Sequence, residues 1–198
     1  MCIAIYKPES KTITEDVLRL CYKNNPHGAG FAFADGERVH IRKGYFSFTG
    51  FMKVYERYKD MPMVIHFRYA TVGRKSKANC HPFRLNEKMA IVHNGTLHQY
   101  QPMMRGESDS RHFARNILKP ALDDNPDFDL NEHSAEIAPS RMIVFRSDAQ
   151  AQIINERLGE WAGSVWFSNT YYRETRRQVQ ARRIAFSCEG LSLNKKIA

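Results

Sequence analysis

Four short stretches carry side chains whose types and spacing could do chemistry. Cys2 directly follows the initiator Met1. If Met1 is cleaved, the thiol and a free α-amine sit on one residue. An α-amine titrates near ~7.7–8.0, so near pH 7 a fraction of it is neutral and can accept the thiol proton. The thiolate is the reactive form. Taken alone, a cysteine in second position is most often just a small buried residue. The second stretch is His66-Phe67-Arg68-Tyr69-Ala70-Thr71-Val72-Gly73. An arginine at the end of an apolar strand either offers its planar fork to a carboxylate or satisfies loop carbonyls. The third is His93-Asn94-Gly95, directly after the apolar run 89–92. An Asn-Gly pair is either a plain turn or a pair of donors, side-chain amide and backbone N–H, aimed at a developing oxyanion. The fourth is Ser108-Asp109-Ser110. It opens a helix as a cap and dipole partner, or Asp109 holds a ligand's ammonium group.

The elements that must position these residues can be read from periodicity. Strands are expected over 2–6, 30–34, 38–42, 63–70, 89–93, 142–145, 151–154 and 163–167, with hairpin turns at Asp35-Gly36 and Ser147-Asp148. In the segment 63–70, Met63, Ile65, Phe67 and Tyr69 share one face, and Val64, His66, Arg68 and Ala70 the other. Helices are expected over 15–23, 50–58 and 109–122. The last has Phe113, Ile117, Leu118 and Ala121 at helical spacing behind a Ser108 cap. A basic loop spans 73–78, a polar loop 123–136, and a basic tail, helical to about residue 186, spans 171–198. Many strands in two sets with few helices favour an α+β layered domain over a parallel doubly wound sheet.

The 198 residues suit one domain with a tail, here 1–170 and 171–198. Hydrophobic residues make up 42% and charged residues 26%, as in a globular chain. No apolar run approaches the ~18–20 residues of a membrane span, and the N-terminus lacks the pattern of a signal peptide. Cys2, Cys21, Cys80 and Cys188 form no metal-ligand spacing, so neither metal nor cofactor is expected, and the thiols read as those of a reduced, cytoplasmic protein. The formal net charge of +9 brings anionic partners, nucleic acid among them, into consideration. Its clusters, Arg74-Lys75-Lys77 and Arg173 to Arg183, read first as solvated surface, and a nucleic-acid partner is not favoured.

Taken together and in order, Cys2, the HxRxATxG pattern at His66 to Gly73, His81-Pro82-Phe83, His93-Asn94-Gly95 and Ser108-Asp109-Ser110 resemble the class II glutamine amidotransferases, a branch of the N-terminal nucleophile hydrolases. Asn25 to Gly30 is similar to the family's glycine-rich segment. Each motif is weak alone; five in sequence are specific. The resemblance covers about residues 2 to 125 well and 140 to 170 loosely. It implies a four-layer αββα sandwich of two antiparallel sheets. It further implies that Cys2 attacks the glutamine carboxamide, with Asn94 and Gly95 as the oxyanion hole. Arg68, helped by Thr71, would hold the substrate carboxylate, and Gly95 with Asp109 its ammonium. His66, His93 and His81 to Phe83 would be structural. Tyr69 and Val72 stand where some members carry Trp and His, and Val72 removes a polar contact.

The short region beyond the resemblance leaves three readings. Ammonia passes to a separate synthase subunit. Or the chain acts alone on glutamine or another γ-glutamyl amide. Or it is an inactive binding module whose basic tail contacts nucleic acid or another anionic partner.

Overall fold

The computed structural model describes residues 2–8 and 11–174. Most of the basic tail expected over 171–198 lies outside the described residues. Among the described residues ten strands form two sheets, and every pairing in them is antiparallel. The larger sheet contains β1 (Ile3–Lys7), β2 (Ala29–Ala34), β3 (Val39–Tyr45), β4 (Met63–Phe67), β9 (Glu160–Ala162) and β10 (Val165–Phe167), in the order β3-β2-β4-β1-β10-β9. The smaller contains β5 (Phe83–Asn86), β6 (Met89–Asn94), β7 (Arg141–Arg146) and β8 (Ala151–Ile154), in chain order.

Three apolar clusters show how the sheets stack. Leu18 and Cys21 of α1 (Glu15–Asn24) and Phe51 and Tyr55 of α2 (Phe48–Tyr55) pack on Ile3, Ile5, Phe31, Ile65 and Phe67. The alternate residues Ala4, Ala32, Val64 and Trp166 meet Ala90, Val92, Ile143 and Phe145 of the second sheet. The outer face of that sheet, with Phe83, Ile91, Met142 and Val144, packs on Phe113, Ala114 and Leu118. The order is helix, sheet, sheet, helix, the expected four-layer αββα sandwich. Because both faces of the inner strands are covered, their sequences read as nearly unbroken apolar runs.

Several expected boundaries move, each for a physical reason. The strand expected over 63–70 stops at Phe67 because its neighbour β2 begins at Ala29; beyond it the ring nitrogen Nδ1 of His27 takes the Ala70 N–H at 3.0 Å. The helix expected over 109–122 is α-helical over α3 (Asp109–Phe113), π-helical over Ala114–Leu118 and α-helical again over α4 (Lys119–Asp124). The wider π turn rotates the buried face by about one residue. Ala114 and Leu118 are therefore buried, and Ile117 is exposed. The strands β5 and β9 escape periodicity because both lie at sheet edges and are only four and three residues long. Gly163, at φ +62°, turns the β9–β10 hairpin, so the strand expected from 163 starts at Val165.

Candidate active site

The strand parity that builds the layers also builds the site. On β1, Ala4 and Tyr6 face the second sheet, and Cys2 precedes them at the same parity. On β6, Ala90 and Val92 face the first sheet, and Asn94 follows them. Cys2 and Asn94 thus come to the same end of the inter-sheet space. Arg68 follows β4 at the parity of Val64 and His66, and it too is buried.

The Cys2 sulfur lies at 3.3 Å from the Tyr69 backbone nitrogen, which donates to it, and 3.4 Å from the Tyr69 carbonyl. The Asn169 side chain donates to the Cys2 carbonyl at 2.7 Å. Burial pushes the thiol above its ordinary pKa; the Tyr69 N–H and then the Arg68 charge pull it down, and Asp109 raises it. The net direction is upward, so the resting group is the thiol and its reaction needs a base. No histidine is bonded to it.

Arg68 donates from Nη1 to the Arg74 carbonyl at 2.8 Å and from Nη2 to Val72 O at 2.8 Å and Gly73 O at 3.4 Å. Of its two sequence readings, the structure displays the second: the fork holds loop carbonyls. Gly73 is what lets that loop lie where it does. Its φ is +78°, and a Cβ there would come within 2.7 Å of the Glu107 and Ser108 backbone. Thr71 Oγ1 lies 3.4 Å from Thr96 Oγ1, bridging this loop to the one after β6.

Asn94 ends β6 with its Nδ2 donating to Ser168 Oγ at 2.8 Å. Gly95, at φ +156°, packs so tightly that a Cβ would strike Ser140 Oγ and His93 Nε2. A glycine here is required by space. Asp109 is buried at the start of α3, and Ser108 caps that helix by accepting from the Arg111 N–H at 3.2 Å. One Asp109 oxygen accepts from the Leu97 N–H at 2.7 Å, the other from Ser110 N at 2.8 Å and Ser110 Oγ at 3.2 Å. Asp109 therefore ties the Asn94-Gly95 loop to the helix, and its charge acts on both Cys2 and Arg68.

Sequence reasoning missed two residues that hold this arrangement. Asn79 is buried; it donates to Arg74 O at 3.0 Å and Gly106 O at 2.8 Å, and accepts from Ser108 N at 3.1 Å. It fastens the Arg68 loop to the start of α3. Nothing in the polar run around it singles it out. Ser168 is the other, fully buried and taking the Ala4 N–H at 2.9 Å; it follows an apolar strand as any turn serine would.

Three buried rings lie close to one another. His66 and His81 have ring centroids 4.0 Å apart, and His81 and His93 are 6.3 Å apart. His66 Nε2 contacts His93 O at 3.0 Å, and His93 Nδ1 contacts Ser110 Oγ at 2.7 Å. Burial lowers His66 to about 3 and His93 to about 4, and His81 well below the ordinary value. All three are neutral supports near pH 7. Among the described residues, no three His, Cys, Asp or Glu side chains are grouped as metal ligands would be.

Residues 21–121 match the family of class II glutamine amidotransferases. A glutamine–fructose-6-phosphate aminotransferase (isomerizing) of Halalkalibacterium halodurans is 35% identical over 79 residues, 39% of this chain and 13% of that enzyme. An amidophosphoribosyltransferase of Methanocaldococcus jannaschii is 37% identical over 76 residues, 35% of this chain and 16% of that one. The chain thus aligns with less than a fifth of either curated relative. Among solved structures, the glutamine phosphoribosylpyrophosphate amidotransferase from B. subtilis in complex with ADP and GMP superposes with a TM-score of 0.52 at 19% identity. That match covers 84% of this chain and 40% of that one. The structure described as the allosteric regulatory enzyme of purine biosynthesis superposes at 0.54, with the same identity and coverage. These two establish a shared fold.

Proposed function

Since the chain belongs to the class II glutamine amidotransferases, we propose that it hydrolyses the side-chain amide of glutamine and yields ammonia for an acceptor enzyme on a separate chain. The single observation that carries this reading is the convergence of Cys2 with Arg68, Asn94-Gly95 and Asp109 at one end of the inter-sheet space. The glutaminase unit would be residues 1–170. The cysteine usage and the family fit a cytoplasmic setting, and no helix among the described residues is long and apolar enough to cross a membrane.

In this reading Met1 is removed. The freed α-amine of Cys2 takes the thiol proton, which burial otherwise keeps on sulfur. Sulfur attacks the carboxamide carbon, and the C–O π pair moves onto oxygen. Asn94 Nδ2–H and the Gly95 N–H receive that oxyanion. The tetrahedral intermediate collapses, the C–N bond breaks, and the ammonium form of the amine gives its proton to the leaving nitrogen, releasing ammonia. Water, deprotonated by the same amine, hydrolyses the resulting γ-glutamyl thioester to glutamate and the free thiol. Arg68, released from one or more loop carbonyls, holds the substrate carboxylate. Thr71 assists it, and Gly95 and Asp109 hold the ammonium group.

The reading is tested by the intact mass of the purified protein before and after incubation with an electrophilic glutamine analogue. The expected result is loss of Met1 and one adduct on Cys2, blocked by excess glutamine. A retained Met1, or a mature Cys2 that stays unlabelled, overturns it. Two variants separate binding from chemistry. Arg68→Ala should raise KM for glutamine with kcat largely kept, because it removes an interaction common to ground and transition states; a change confined to kcat would contradict the assignment. Asn94→Ala should lower kcat by roughly 10²–10³ with KM little changed, as for other lost oxyanion donors. An unchanged kcat would remove Asn94 from the oxyanion hole.

A further inference from the structure

Asn94 presents a contradiction that the proposed mechanism does not resolve. Its Nδ2 donates to Ser168 Oγ, and its Oδ1 is buried without a hydrogen-bond partner among the described residues. An amide in that orientation turns an acceptor away from Ser168. One of the two Nδ2 hydrogens is spent on Ser168, and an unpaired Oδ1 beside a developing oxyanion repels it, so this orientation serves an oxyanion hole poorly. The serine is equally unbalanced. Ser168 Oγ accepts from both the Ala4 N–H at 2.9 Å and Asn94, and its own hydroxyl hydrogen has no acceptor among the described residues. The two ends of a carboxamide have the same shape. A half-turn about its last bond exchanges oxygen and nitrogen without moving the backbone.

We propose that Ser168 is a positioning residue that holds the Asn94 carboxamide turned over, oxygen on the serine and nitrogen toward the reacting carbonyl. In that arrangement Ser168 still accepts from Ala4 and donates its hydroxyl hydrogen to Asn94 Oδ1. The Asn94 N–H pair then occupies the place of the orphaned oxygen. All three partners are satisfied except the N–H pair, whose acceptor is the oxyanion itself. The serine is well placed for this task. It is fully buried, and it is locked to β1 by the reciprocal pair Ala4 N–H to Ser168 Oγ and Ser168 N–H to Ala4 O at 2.9 Å. Ala4 lies two residues beyond the nucleophile, so one strand start fixes both the sulfur and the residue that aims the oxyanion donor. A hydroxyl suits the role because it accepts and donates at once; alanine does neither, and a cysteine thiol does both only weakly.

This inference rests on the glutaminase reading, and its test separates the two. Glutamine hydrolysis is measured for the full chain and for Ser168→Ala, Asn94→Ala and the double variant. Rates are expressed per site titrated with the electrophilic analogue, so unfolded protein is not counted. Ser168→Ala is expected to lower kcat roughly tenfold or more, less than the ~10²–10³ of losing the donor outright, with KM little changed. On the Asn94→Ala background the same change should have almost no effect, because the group it aims is gone. Effects that multiply across the two sites, or a Ser168→Ala loss seen in KM alone, overturn the proposal. Should the alanine variant yield no titratable sites, Ser168→Cys carries the same comparison, and full kcat in that variant overturns it too. A parent chain that takes no adduct and releases no ammonia removes the glutaminase reading first, and the role of Ser168 falls with it.

Discussion

Cys2→Ala releases no ammonia from glutamine above background, and Cys2→Ser falls nearly as far, by at least ~10⁴ in kcat. Removal of a nucleophile from a comparable covalent hydrolase costs about 10⁶. The serine variant is the sharper of the two. It keeps the α-amine, the strand and nearly the same shape, and changes only sulfur to oxygen. A hydroxyl holds its proton far more firmly than a thiol, so with the same α-amine as base far less of the reactive anion forms in a site built around sulfur. The substitution costs the fold little. The sulfur's hydrogen bonds among the described residues are those to the Tyr69 backbone, while Cys2 itself stays anchored through its carbonyl by Asn169. Ammonia release at saturating glutamine, together with circular dichroism and thermal midpoints for all three proteins, checks this. Full activity in either variant would show that Cys2 is not the nucleophile.

The second large effect concerns the fold itself. Stability should collapse on mild acidification, well above the pH at which carboxylates protonate. Burial holds His66 near 3 and His93 near 4 in the folded chain, and His81 lower than its ordinary value too. In the unfolded chain each titrates near ~6.5. Between pH 6.5 and those folded values the unfolded state therefore binds more protons. By linkage, stability rises with pH across that window and is independent of these groups above it. At pH 5 each of His66 and His93 costs about 2 kcal/mol relative to pH 7. That is a large share of a typical domain stability of about 5–15 kcal/mol. The charges nearest the rings, Arg68, Lys43 and Asp109, differ in sign, and only Asp109 opposes the shift. Calorimetric midpoints at pH 7, 6 and 5 should fall steeply between the last two. A flat profile over that range would mean that the rings carry protons, or are reached by water, in the folded state.

The sequence was most legible in its apolar runs and its motif order. That Gly95 must be glycine because a Cβ would strike Ser140 and His93, and Gly73 because its loop crosses the Glu107–Ser108 backbone, comes from the structure. The strands expected over 2–6, 63–70 and 89–93 are found over 3–7, 63–67 and 89–94; both faces of their sheets are covered, and the expected four-layer sandwich is the fold found. Less legible were features set by tertiary context. A π turn inside a helix leaves no mark in helical spacing, so Ile117 was expected in the core and lies outside it. The edge strands β5 and β9 are too short to show a period. Asn79 and Ser168 act through backbone groups 27 to 164 residues away in sequence, and a single chain gives no local signal for such partners. Arg68 shows the same limit. Its type, its place and the option of holding loop carbonyls were readable, but not which carbonyls, those of Val72, Gly73 and Arg74, it would take.

The position of β1 inside its sheet has a practical consequence. Hydrogen-bonded to β4 on one side and β10 on the other, β1 leads directly to Cys2, with Tyr69 and Asn169 packed around that residue. Any recombinant fusion ahead of residue 2 would have to thread out through this crowded corner and would convert the terminal amine to an amide. An affinity tag at that end should thus give a well-behaved but silent protein. A purification scheme that retains such a tag would mistake a manufacturing artefact for a dead enzyme.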